Sequence, residues 1–192
     1  MSQELGMYIH TSSASSVANI KCVPLTHGNI FSGALARFNW WKKTWPKQDF
    51  ERLRVLGWSP WSHIIGISHD IGAALLLTGG SYVFGVTPSC YHVTNNHVPE
   101  GGSSDIISRL LHTARTKSTT AFAGVPWILD GIITLTAGGE EEMVETAMRQ
   151  FKIFGLGGAA TSLQARRWSE EHQVPLIVDI GMTELGGKTH PS

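Results

Sequence analysis

Short apolar runs alternate along the chain with longer stretches of helical spacing, and this pattern predicts repeated strand–helix–strand units. Met7 to His10 reads as a short strand. From His27 to Trp41, the residues Ile30, Ala34, Phe38 and Trp41 fall on one helical face. The amphipathic end Trp40-Trp41-Lys42-Lys43-Thr44-Trp45-Pro46 reads as a helix packing its tryptophans rather than as a nucleic-acid or lipid patch. Arg54 to Trp58 reads as a strand, Ile71 to Leu77 as an apolar helix ended by Thr78-Gly79-Gly80, and Ser81 to Val86 as the next strand. A helix between two such strands is the right-handed crossover of a parallel sheet. Thr87 to Ser104, rich in Pro, Asn, Gly and Ser, reads as a loop. Ser104 or Asp105 then caps a helix carrying Ile106, Ile107, Leu110, Leu111 and Ala114. Trp127 to Thr136 reads as a helix, broken at Gly138-Gly139. Glu140 to Gln150 begins another helix, whose acidic first turn suits its dipole; Glu140-Glu141-Glu142 reads as a solvated face.

The C-terminal stretch from Phe151 to Gly187 repeats the unit most clearly. Phe151 to Leu156 is an apolar strand, Gly157 and Gly158 supply a turn, and Thr161 or Ser162 can cap a helix carrying Leu163, Ala165 and Trp168. Pro175 ends that helix, and Leu176 to Ile180 is a second buried strand. Gly181-Met182-Thr183-Glu184 follows at its carboxyl end, where open α/β sheets bind ligands. The expected fold class is α/β, a parallel-rich sheet flanked by helices.

Composition narrows the function classes. The chain has 192 residues, 42% hydrophobic and 16% charged, enough for one domain with a sizeable core. Its 15 basic and 15 acidic residues balance to a net charge of +0, which gives no electrostatic case for nucleic acid or an anionic membrane. Cys22 and Cys90 make neither a disulfide framework nor a metal motif. No run approaches a membrane span and the N-terminus lacks a signal pattern, so a reducing, cytoplasmic compartment is expected.

Three stretches carry candidate chemistry. Thr11 to Lys21 is dense in hydroxyls, with Ser12, Ser13, Ser15 and Ser16, and ends on a lysine. Composition alone favours a polar surface loop; the functional alternative is a phosphate loop of hydroxyls and backbone N–H groups with one neutralising cation. The GK[ST] ending of a Walker loop is absent. Ser59-Pro60-Trp61-Ser62-His63-Ile64-Ile65-Gly66 brings a lone histidine, which without further context reads as a hydrogen-bonded structural residue. His63, His69 and Asp70 lack the i,i+4 spacing of a helical metal pair. The third stretch pairs GGAATS at Gly157–Ser162 with GMTELGG at Gly181–Gly187. Gly155-Leu156-Gly157-Gly158 after a strand is also a weak dinucleotide signal, because the next required glycine is absent.

Taken in order, these motifs resemble those of the adenylate-forming superfamily, which includes acyl-CoA synthetases, luciferases and nonribosomal peptide synthetase adenylation domains; the degenerate phosphate loop resembles fungal members. Leu25-Thr26-His27 follows the hydroxyl-rich stretch as in that family, and Ala121 to Pro126 resembles the strand and Val-Pro corner that precede a helix there. Ser13, Ser16 and Cys22 stand where glycines are usual, Ala160 where proline is common, and Ile180 where an aromatic ring stacks on adenine. The resemblance implies ATP and Mg²⁺ as cofactors and a small carboxylic acid as substrate. The acid's oxygen attacks the α-phosphorus to give an acyl-adenylate and pyrophosphate. It further implies that Thr11, Ser12, Ser15, Ser16 and Lys21 hold the outer phosphates, and that Gly158, Ala159, Ala160, Ile180, Gly181 and Met182 border the nucleotide. Thr183 would touch the α-phosphate, Glu184 would hold the metal, and His63 and Gly157 would border the acyl group. Lys21, His63, Thr183 and Glu184 form the expected catalytic set. The acceptor in a full-length parent would be the thiol of CoA or of a carrier-protein phosphopantetheine. The whole chain, 1–192, then corresponds to the central part of an adenylation domain, from phosphate loop to Thr-Glu motif. The family's small C-terminal domain and its lysine would be missing, so a fragment inactive by itself is expected, with a nucleotide-binding remnant as the alternative.

Overall fold

A computed structural model describes residues 3–13, 16–85, 102–181, 183 and 189–191. The chain opens with an antiparallel hairpin, β1 (Leu5–Ser13) and β2 (Ser16–Thr26). The stretch read as a polar loop is therefore mostly paired strand, with Thr11 opposite Lys21 and Ser12 opposite Ile20. Ile9, Val23 and Leu25 of the hairpin are buried against Ile64 and Ile67.

Helix α1 (His27–Thr44) starts directly on the hairpin. The Asn29 backbone N–H donates to the Thr26 hydroxyl, and the Thr26 N–H donates to the Asn29 side chain, a reciprocal cap that fixes the start of the helix. Strand β3 (Arg54–Gly57) follows, then helix α2 (Gly66–Leu76), then β4 (Ser81–Phe84). Helix α2 is a π-helix, and its end shows i→i+5 bonds: Leu77 N–H to Gly72 O at 3.1 Å and Gly80 N–H to Leu75 O at 2.9 Å. It begins before the predicted Ile71, because Ser68, His69 and Asp70 interrupt the apolar pattern yet are buried. The predicted loop from Thr87 lies mostly outside the described residues, and helix α3 (Gly102–Thr116) begins inside its last part. Then come β5 (Ala121–Gly124), α4 (Pro126–Ala137), α5 (Glu141–Met148), β6 (Ile153–Gly157), α6 (Leu163–Glu171) and β7 (Leu176–Gly181). Ser162 caps α6, accepting from the Ala165 N–H at 3.1 Å. A last strand, β8 (Thr189–Pro191), was not predicted.

The main sheet has six strands in the order β4-β3-β5-β6-β7-β8. All neighbours are parallel except β8, which runs antiparallel to β7. This is the expected α/β architecture. The central strands are apolar on both faces because helices cover both. Alternation along each strand separates two cores. Val55, Ala121, Ile153 and Ile177 face one side with Ala34, Trp41, Ala73 and Ala74 from α1 and α2. Leu56, Phe122 and Phe154 face the other, against Ile107, Leu110, Ile128, Val144 and Trp168 from α3 to α6.

Candidate functional site

Parallel strands deliver all their carboxyl ends to one edge of the sheet. There β6 ends on Gly157, whose register partner on β7 is Asp179, two residues before β7 itself ends at Gly181. Gly158 has φ +83°, a conformation that glycine alone enters without strain, and it points the chain outward. Gly158, Ala159 and Ala160 are exposed, and a side chain at Gly158 would meet only Val125 Cγ1 at 3.9 Å. A flat ring can approach this backbone. The turn does not open straight into a helix: α6 is capped only at Ser162, so the helix N-terminus that a dinucleotide fingerprint requires is not at the glycines.

On β7, the backbone of Ile180 pairs with His190 and that of Gly181 with Thr189 of β8. Gly181 is exposed and Thr183 is buried. Met182 and Glu184 lie outside the described residues, as does Ser15. Thr11, Ser12 and Ser16 are placed by their backbone in the hairpin, and Lys21, across from Thr11, is exposed. The structure thus unites Thr11 with Lys21, and the Gly157–Ala160 turn with the end of β7.

His63 lies in the turn before α2. Its backbone N–H donates to Pro60 O at 2.9 Å, and its Nδ1 accepts the Ile65 N–H at 3.2 Å. Burial lowers its pKa, and in the neutral ring Nδ1 accepts, so the proton sits on Nε2. Beside it, a depression of about 330 Å³ is lined by Met7, Tyr8, Ile9, His10, Trp61, Ser62 and Ile67.

A polar cluster that the sequence did not announce sits beneath these tips, between the sheet and α1 and α2. Arg37 of α1 pairs with Asp179, with side chains 4% and 12% exposed. His69 Nδ1 lies 2.8 Å from Asp70 Oδ1, both side chains fully enclosed. Burial, helped by the Arg37 charge, holds the His69 pKa well below its usual 6.5. Burial also pushes the Asp70 carboxyl well up, against the pull of Arg37. The one sign available was polar residues inside an apolar helical run, together with an aspartate inside the strand Leu176–Gly181.

The His69 shift makes a pH prediction once the coupled carboxyl is removed. In Asp70→Asn, folded His69 stays neutral at a pH where the unfolded chain's histidine takes up a proton. That histidine's contribution is therefore fully present above 6.5 and is lost as the pH falls below it. The urea midpoint of Asp70→Asn should drop more between pH 7.5 and 5.5 than that of Asp70→Asn/His69→Gln. Parallel slopes would show that His69 titrates normally in the fold.

The AMP-binding enzyme family model matches residues 7–191, and the chain belongs to that family. It is 36% identical over 191 residues to hispidin synthase from Neonothopanus nambi; the match covers 94% of this chain and 11% of that protein. Among solved structures it superposes on o-succinylbenzoate CoA synthetase from Bacillus subtilis in complex with an acyl-adenylate intermediate. The TM-score is 0.65 at 18% identity, over 96% of this chain and 31% of that one. It also superposes on the nonribosomal peptide synthetase FmoA3, with TM-score 0.67 at 15% identity, over 98% and 17% of the two chains. Both likenesses concern the fold. Among the described residues, no helix is long and apolar enough to cross a membrane.

Proposed function

We propose that this chain supplies the nucleotide- and acid-binding part of an enzyme that activates a small carboxylic acid as its acyl-adenylate. The observation that carries the reading is the pairing of Gly157 with Asp179, which brings the start of the GGAATS turn within two residues of the end of β7 at the carboxyl edge of the sheet. Bound ATP would supply the α-phosphorus that the acid attacks. The exposed backbone of Gly158 to Ala160 fits the adenine face, and Ile180 covers it by dispersion instead of aromatic stacking. Thr11, Ser12, Ser15, Ser16 and Lys21 hold the outer phosphates, and Gly181, Met182 and Thr183 border the α-phosphate. Glu184 is the hard oxygen ligand for Mg²⁺. His63, with its Nε2 proton, orients the acid beside Gly157. The acceptor is the thiol of CoA or of a carrier protein, and the setting is cytoplasmic, without nucleic-acid or membrane partners.

The 192 residues span a small part of the relatives they match, so we assign them as one partial AMP-binding domain and assign turnover to a longer parent. A nucleotide-binding remnant is the second reading. It is favoured by the hairpin ladder reaching Ser13 and Ser16, which commits backbone groups that an open phosphate loop would offer. Pyrophosphate exchange separates the two: ATP binding without exchange supports binding alone, and exchange driven by any carboxylic acid shows catalysis. Calorimetry on Glu184→Ala should show Mg²⁺-dependent ATP affinity reduced, with metal-free AMP binding kept. Unchanged Mg·ATP affinity would make that loop purely structural.

A further inference from the structure

We propose that Glu141, Glu145 and His172 form a site for a divalent transition-metal cation of the zinc kind, which clamps α5 to α6 at the amino edge of the sheet. Glu141 and Glu145 are four apart on α5 and so lie on one face of it. His172 caps the C-terminus of α6. One ligand atom from each of the three lies within 4.8 Å of the others. Two donors about 2.1 Å from a tetrahedral zinc ion stand roughly 3.4 Å apart, so a small side-chain movement closes the set. Glu145 and His172 also line a depression of about 450 Å³, together with Phe151 and Pro175. Those two residues stand just before β6 and β7, at the end of the sheet opposite Gly157 and Gly181. The site is therefore separate from the edge assigned to the nucleotide.

Two carboxylates alone would not make such a site; the histidine and what holds it do. His172 Nδ1 lies 2.9 Å from the Trp168 carbonyl oxygen. A carbonyl only accepts, so Nδ1 carries the proton, and in the neutral ring Nε2 keeps the lone pair that a metal takes. The Trp168 ring stacks on the imidazole, with centroids 4.2 Å apart and planes 19° from parallel. The ring is thus held in place by contacts outside the three donors. A histidine whose other ring N–H is bonded to a backbone carbonyl is the arrangement that fixes tautomer and orientation in metal sites. The carbonyl end of α6 adds a field that favours a cation. Arg149 is the competing positive group, donating to Glu145 Oε2 at 2.7 Å. Its side chain is 76% exposed, so that pair is weak, and Glu145 keeps its second oxygen for the metal. Imidazole nitrogen beside carboxylate oxygen suits zinc and its neighbours, whereas magnesium takes oxygen and water.

The test is calorimetric titration of the metal-stripped whole chain with Zn²⁺, alongside His172→Gln and Glu141→Gln. The parent should bind one equivalent of Zn²⁺ that each variant binds at least about tenfold more weakly. Because the other histidines and the cysteines can also take up zinc, the difference between parent and variant is the quantity read. Excess Mg²⁺ should not displace that equivalent. In ¹⁵N spectra His172 Nε2 should shift on Zn²⁺ addition while Nδ1 keeps its N–H signal. With free Zn²⁺ at a hundred times its Kd, urea unfolding should show the ratio of folded to unfolded chain raised about a hundredfold, and the variants should lack that gain. If His172→Gln disturbs the stack on Trp168, Glu141→Gln, at an exposed position, keeps the test intact. Equal Zn²⁺ binding in the parent and Glu141→Gln, displacement by Mg²⁺, or a His172 Nε2 signal that Zn²⁺ does not move overturns the site.

Discussion

Arg37→Met should cost the folded state about 3–5 kcal/mol, read as a fall in the urea midpoint at neutral pH. The pair it breaks joins α1 to β7 with side chains only 4% and 12% exposed. Removing the guanidinium leaves the Asp179 carboxylate without its counter-charge in a region that water reaches poorly. Most of the loss is that stranded charge, not the net worth of the pair. Arg37→Met/Asp179→Leu should therefore recover much of the stability lost in the single variant. A single-variant loss below about 1 kcal/mol, the range of exposed pairs, would mean that solvent reaches Asp179 freely. The position also matters for function. Helix α1 starts on the cap at the end of the hydroxyl-rich hairpin, while β7 leads to Thr183. The pair thus ties together the two segments assigned to opposite sides of the phosphates, and AMP affinity should recover in the double variant along with stability.

The strand tips were legible because their chemistry is local. Gly157-Gly158 announces a turn whatever surrounds it, and the apolar runs before Gly157 and before Gly181 are long enough to be strands. The helices α3 to α6 were legible from spacing, within a few residues at their ends. Of the hairpin only Met7 to His10 was legible; the rest was not, because a ladder is made by backbone groups, and the serines and threonines of β1 and β2 carry no apolar alternation to reveal it. Strand β8 is three residues with a proline, too short for any pattern. The start of α2 was missed for a different reason. Ser68, His69 and Asp70 look like a polar break, yet the Ser68 hydroxyl donates to Ile64 O at 2.8 Å and His69 and Asp70 bond to each other. Polar residues that satisfy one another can be buried, and a one-dimensional pattern does not show which partner each will find. Arg37 and Asp179, far apart in sequence, are the extreme case.

Phe154→Ala should lower stability by about 3–5 kcal/mol, the usual loss for deleting a buried ring. Phe154 is fully buried, with the Phe122 ring centroid 4.9 Å away and that of Phe151 at 5.4 Å. Phe122 sits beside it in the register of β5 and β6, so few atoms can move in to refill the cavity. The informative feature is the face. Phe154 points to the core under α3 to α6, while Gly155 next to it faces His69 of α2. Below its unfolding midpoint, Phe154→Ala should bind AMP as the parent chain does, because the cavity opens away from the ligand edge. Gly155→Ala should change stability little by contrast, because its β-carbon would meet only ordinary contacts at 3.4–3.8 Å. A Phe154→Ala loss under about 1 kcal/mol would mean that this core repacks. A loss of AMP binding in material that is still folded would mean that the two faces of β6 are coupled and cannot be assigned separately.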